Sequence, residues 1–325
     1  PFEGMNFRHP LVVGIMLFLI GALLSFVANP FSLAGLGMLK TWFIFPLVAV
    51  WLWMETLPTV SELERMLFVW FGTSFLTACA SLSFFFQDIL TYDGRLEAWY
   101  ASPNYLAFML APGILLAGYF LTHSPAFFRR QKFSQIFSLL ALRILVSALF
   151  LKHSYTTWIS LMAALALFLF LGRESIFSGQ KKIALILLLA GIFATFIFLE
   201  SGSEKWQSLA TLSPRSSIAS RAMIWESATR IISDNPVFGV GLGRFQETYI
   251  AYQKYFPPYL EWAVPQPHNL YLALWLETGL VGLLGFCLLI SVWLRSMFVL
   301  LSSSASLETK KAGVLLIALI TFFSL

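Results

Sequence analysis

The sequence predicts an all-α fold, a polytopic transmembrane helix bundle with about nine spans and one long extracytoplasmic loop containing short helices. Three observations lead there. Of the 325 residues 58% are hydrophobic and only 11% charged, with a mean hydropathy of +0.79, whereas soluble domains carry roughly 25% charged residues. The apolar residues come in continuous blocks of about 17 to 25, the length that crosses a bilayer as a helix. The basic residues sit in short clusters between those blocks, the pattern of a topology signal. A β-barrel is excluded because runs such as Leu11–Val27 and Ile183–Leu199 do not alternate. The net charge of +5 therefore does not point to nucleic acid, since it is not gathered on one face.

Apolar windows place spans near 11–27, 33–54, 66–84, 105–122, 134–151, 155–172, 183–199 and 269–294, with a ninth beginning at 312. The resulting division is 1–199 for spans one to seven, 200–267 for the loop, and 268–325 for the C-terminal spans. With the amino end on the cytoplasmic side, the inner segments hold Arg8, Arg65, Arg129, Arg130, Lys132, Arg173, Lys181, Lys182, Arg295, Lys310 and Lys311. The short outer segments hold only Arg95 and Lys152. This positive-inside bias puts the 200–267 loop outside. Trp42, Trp99, Tyr100, Tyr155 and Trp158 fall near span ends, where amphipathic rings settle at headgroup level. Cys79 and Cys287 lie inside predicted spans, so no disulfide framework is expected. The chain begins at Pro1 rather than Met and stops at Leu325 inside an apolar run, which suggests a fragment with further spans on either side.

Within the outer loop, Ser217 or Ser220 can cap a helix that Asn235-Pro236 ends, because the residue before proline is pushed out of the α region. Ile224, Ala228, Ile231 and Ile232 form one apolar stripe, while Arg221 and Trp225, four apart, share a face. Phe238-Gly-Val-Gly-Leu-Gly-Arg-Phe245 reads as a tight turn, since the strand-then-helix setting of a nucleotide loop is missing. His268 sits where the loop enters the next helix, its approach set by Pro265 and Pro267.

Gly94-Arg95, Ser102-Pro103-Asn104, Arg221 with Trp225, Pro236 to Gly243, His268-Asn269 and Glu277-Thr278-Gly279-Leu280 together resemble, in order and topology, the O-antigen ligase and O-antigen polymerase superfamily. The likeness runs from about residue 93 to 290. It implies glycosyl transfer on the outer face of the bacterial cytoplasmic membrane, from a glycan on a polyprenyl diphosphate to the lipid A core, a growing polysaccharide or a protein hydroxyl. No nucleotide sugar, cofactor or essential metal is implied. Family members often carry Ser-Arg-Gly after the fifth or sixth span; this chain has His153-Ser-Tyr-Thr-Thr-Trp158 there, so no role of that arginine is carried over.

Such chemistry needs cations for the departing diphosphate and a group that takes the acceptor hydroxyl proton. Arginine suits the first role, because its planar fork binds phosphate oxygens in pairs and stays charged. The matching motif makes Arg221 the first choice for catalysis and diphosphate contact, followed by Arg244 and Arg215; read alone, Arg221 is a solvated helix arginine. The loop's basic and acidic residues are equal in number, so net charge does not argue for a phosphate site. His268 is the candidate general base, against the plainer reading of an interfacial hydrogen-bonding residue. Arg143, inside a span, must face protein, water or phosphate, and it joins Arg95 as a candidate phosphate contact. Lys40 reads as a snorkelling structural residue, and Glu277, about 13 Å along a helix from His268, as a buried structural carboxylate. Metal-ligand spacing and a serine nucleophile elbow are absent from the sequence. A transporter or flippase of lipid-linked glycans is the reading from another class; it calls for paired repeats and broken helices in corresponding halves, and the sequence shows neither.

Overall fold

The computed structural model describes residues 9–56, 59–91, 94–100, 102–122, 131–151, 155–171, 217–252 and 264–324, with scattered positions between 187 and 207. In chain order its helices are α1 (Pro10–Ala28), α2 (Leu33–Met38), a π-helical segment (Leu39–Ile44), α3 (Phe45–Thr56), α4 (Val60–Phe86), α5 (Pro103–Thr122), α6 (Gln131–Phe150), α7 (Tyr155–Leu171), α8 (Ser217–Asp234), α9 (Phe245–Tyr252), α10 (Leu270–Ser302) and α11 (Leu307–Ser324). No strand occurs among the described residues. Among the described residues six helices are long and apolar enough to cross a membrane: Pro10–Ala28, Leu33–Trp53, Val60–Phe86, Pro103–Leu121, Lys132–Phe150 and Leu270–Ser302; Thr156–Leu171 is a shorter apolar helix. The predicted span at 183–199 is described only in part. A multi-pass membrane protein with an all-helical fold is the result.

The chain divides into two compact units, one formed by Pro1–Thr56 and Leu199–Ser296, the other by Leu57–Phe198 and Met297–Leu325. In the first unit α1 packs on α10 through missing side chains. A Cβ on Gly21 would meet the backbone of Gly282, one on Gly285 the backbone of Phe18, and one on Gly14 the side chain of Leu289 at 2.9 Å. Lipid tails are as apolar as leucine, so such close backbone contact, rather than burial from water, holds helices together in a bilayer. The rod from α2 to α3 begins at Ser32, whose Oγ accepts from the Gly35 N–H at 2.9 Å. It widens into the π-helical segment, where exposed Lys40 lies 5.8 Å from the Phe45 ring centroid.

The second unit is built on α4 to α7 and α11. Thr59 and Glu62 start α4 with a reciprocal capping box. Phe68, Phe71, Phe120 and Phe137 form the aromatic centre of the unit, with ring centroids 5.5 to 5.6 Å apart for the pairs 68/120, 71/120 and 71/137. Beside them the buried Tyr119 hydroxyl donates to Glu64 Oε1 at 2.8 Å, as a carboxylate among apolar helices requires.

Candidate functional site

The outer-loop helix forms with the expected stripe and stop, but Ser217 and Ser220 both lie inside it, so neither stands in the capping position ahead of its first turn. α8 runs from Ser217 to Asp234 and ends where the Asn235 N–H bonds the Ile231 carbonyl at 3.0 Å ahead of Pro236. Ile224, Ala228, Ile231 and Ile232 are all buried, in one cluster with Val240, Phe245, Tyr249, Val264 and Leu276. That small core joins α8, the glycine turn, α9 and the first turns of α10. Arg221 is half-buried on α8, and burial lowers its guanidinium from the ordinary arginine range. Arginine stays charged even so; a cation partly stripped of water gains more from an anionic partner than an exposed one does.

The glycine turn serves as a packing device. Gly239, Gly241 and Gly243 take φ of 65°, 97° and 70°. At Gly239 a Cβ would run into the Leu276 carbonyl, and the adjacent Val240 N–H donates to that same oxygen at 2.7 Å. Opposite, α10 is broken at Gly279, with φ 66° and ψ −173°, a conformation essentially confined to glycine. A Cβ there would strike the Val237 carbonyl; the Leu280 N–H donates to that carbonyl at 3.0 Å. The break releases backbone groups and the turn takes them up, so each irregular segment satisfies the other. The broken helix is a feature that apolar periodicity does not reveal. Its backbone groups at Leu276 and Leu280 are met by protein, which distinguishes it from a half-helix end facing a substrate.

Two indoles complete the assembly reciprocally. Trp225 on α8 donates its Nε1–H to the Pro267 carbonyl, just before α10, at 2.9 Å. Trp275 on α10 donates to the Pro236 carbonyl, just after α8, at 2.8 Å. His268 follows Pro267 directly. It is exposed, with φ of +52°, a left-handed conformation uncommon outside glycine. Next to it, Asn269 Oδ1 accepts from the Tyr271 and Leu272 N–H groups at 3.0 and 3.1 Å and caps α10.

The structure thus brings Arg221 and His268 into one unit, tied through Trp225 and Pro267. Arg244 belongs to the same unit, but its fork already bonds Glu247, with Nε to Oε2 at 3.3 Å and Nη2 to Oε1 at 3.4 Å. A phosphate contact by Arg244 requires exchange of that carboxylate. Arg215 lies outside the described residues. Arg95 and Arg143 belong to the second unit. Arg95 is half-buried, in a turn closed by Thr91, whose Oγ1 accepts from the Arg95 N–H at 2.9 Å; Arg143 is exposed on α6. Glu277 is half-buried two residues before the break. Among the described residues no three His, Cys, Asp or Glu side chains gather as a metal-holding group.

Trp275 and the indole bonds of both tryptophans are what sequence reasoning passed over. Trp225 stood out only as a neighbour of Arg221, and nothing local showed that its partner lies 42 residues away.

The region described above falls within a match to a known family. Residues 140–287 match the family model described as O-antigen ligase, a stretch that includes α8, the glycine turn, His268 and the break at Gly279. No curated protein matches the chain. Over 140–287 this multi-pass membrane protein is similar to the O-antigen ligase family.

Proposed function

We propose that the protein transfers a glycan from a polyprenyl diphosphate carrier to an acceptor hydroxyl, on the lipid A core or a growing polysaccharide, at the outer face of the bacterial cytoplasmic membrane. The observation that carries this reading is the tie between Arg221 and His268 through the Trp225–Pro267 bond. A cation suited to diphosphate and a base suited to a hydroxyl are held in one folded unit. In this reading Arg221 binds the diphosphate and stabilises the charge that develops as the glycosidic C–O bond breaks. His268 takes the proton of the attacking hydroxyl through whichever ring nitrogen faces it. Arg244, Arg215, Arg95 and Arg143 are further candidate diphosphate contacts. The positive-inside distribution supports an extracytoplasmic position for 200–267.

The test is transfer of a labelled glycan from polyprenyl diphosphate by the purified protein in detergent, with lipid A core, repeat-unit glycan and serine-containing peptide offered separately and a chelator present. Product on the first or second acceptor supports the reading and separates ligase from polymerase. Product on the peptide alone identifies a protein O-oligosaccharyltransferase. Donor that binds but is never transferred, and instead crosses a vesicle membrane in reconstituted protein, identifies a transporter.

A further inference from the structure

We propose that Trp225 is a positioning residue: its indole N–H, by holding the Pro267 carbonyl, fixes the backbone of His268 relative to Arg221. The consequence for rate rests on the glycan-transfer reading above; the pin itself does not.

Trp225 follows Arg221 by four residues, one turn or about 6 Å along α8, so the two side chains leave the same face. The indole bond of 2.9 Å reaches the residue immediately before His268. Pro267 has no N–H, so its carbonyl is the one backbone group through which it can be held. Downstream, Asn269 anchors the chain as the cap of α10. His268 is therefore the single residue between two anchors, and its φ of +52° is a conformation that a residue with a Cβ keeps only when its surroundings impose it. Release of the upstream anchor lets His268 relax toward the ordinary region, which turns its ring away.

Trp225 does not do this by filling the core. Its residue surface is 38% exposed, and it is not among the buried residues of the cluster that includes Ile224, Ala228 and Leu276. The interaction that Trp225→Phe deletes is therefore the N–H bond, with apolar packing largely retained. Trp275, which makes the companion bond to Pro236, supplies the comparison, because its partner is remote from His268 in sequence. The competing account, an interfacial tryptophan that only anchors the loop at the membrane surface, predicts the same behaviour for both.

The experiment uses the purified full chain in detergent. Diethyl pyrocarbonate labels His268, and peptide mass spectrometry follows the rate, with no donor or acceptor present. Glycan transfer from a fluorescent polyprenyl-diphosphate glycan gives kcat and donor KM. Trp225→Phe is expected to change the His268 labelling rate about 3-fold or more and to lower kcat about 10- to 100-fold, with KM within about 2-fold, as displacement of a reacting group by about 1 Å does. Trp275→Phe is expected to lower the melting temperature while His268 labels at the wild-type rate. Wild-type labelling and kcat in Trp225→Phe overturn the proposal, as does an equal change in labelling in Trp275→Phe. If Trp225→Phe does not fold, benzothienylalanine at position 225, which keeps the bicyclic ring and replaces N–H by sulfur, carries the same expectations. A wild-type protein that transfers no glycan defeats the functional reading, while the labelling arm still decides the pin.

Discussion

Substitution of Gly279 by alanine tests whether the break in α10 and the glycine turn support each other. At φ 66° and ψ −173° a residue with a Cβ is disfavoured by about 1–3 kcal/mol. The added Cβ also meets the Val237 carbonyl and the Phe238 backbone. Neither neighbour is a side chain that can swing aside, so the turn must move. Movement strains the Leu280 to Val237 and Val240 to Leu276 bonds, 3.0 and 2.7 Å long, each contributing about 0.5–1.5 kcal/mol net. The whole effect is about 2–6 kcal/mol of destabilisation. Unfolding by titration with SDS, starting from the folded protein in mild detergent, measures it. Gly72→Ala serves as the control: Gly72 lies within α4, has no atom within 4 Å of an added Cβ and has no positive φ, so alanine there should stabilise by about 0.5–1 kcal/mol. A Gly279→Ala protein within about 0.5 kcal/mol of wild type would refute the idea that break and turn are mutually required.

Substitutions at three other positions probe the site and its scaffold. Arg221→Ala should lower transfer about 10²- to 10³-fold, as loss of one donor to a developing oxyanion does, and Arg221→Lys should recover only part because it keeps the charge but not the fork; near-normal transfer by the alanine protein at equal protein level removes the diphosphate assignment. His268→Gln should lower the rate about 10²- to 10⁴-fold and abolish its fall on the acid side, where protonation disables a histidine base; an unchanged pH–rate profile rules out that role. Tyr119→Phe takes one hydrogen bond from the buried Glu64 and should destabilise the protein by about 1–3 kcal/mol, measured by SDS unfolding, with the labelling rate of His268 unchanged.

Much of the candidate site could be read along the chain because its signals are local. An apolar stripe and Asn235-Pro236 outlined α8, which runs from Ser217 to Asp234, and the proline pair before His268 placed it at the entry to α10. The Arg244–Glu247 pair, at i and i+3, is legible in the same local way. The π-helical segment at Leu39–Ile44 was not legible, since a shift of the hydrogen-bond register leaves no residue signature.

By itself the sequence determined that this is a membrane bundle, in which stretches its long apolar helices lie, and which side chains are candidates for contact with a diphosphate and a hydroxyl. Those properties follow from hydropathy, capping and side-chain type, which depend on neighbours a few residues away. Only the tertiary structure decided that α10 breaks at Gly279, that the turn after Pro236 receives the freed backbone groups, and that Trp225 holds the carbonyl before His268. Each of these joins segments about 40 residues apart. Backbone groups released by an irregular segment can be satisfied by any chain that folds against them, and a one-dimensional pattern does not specify which.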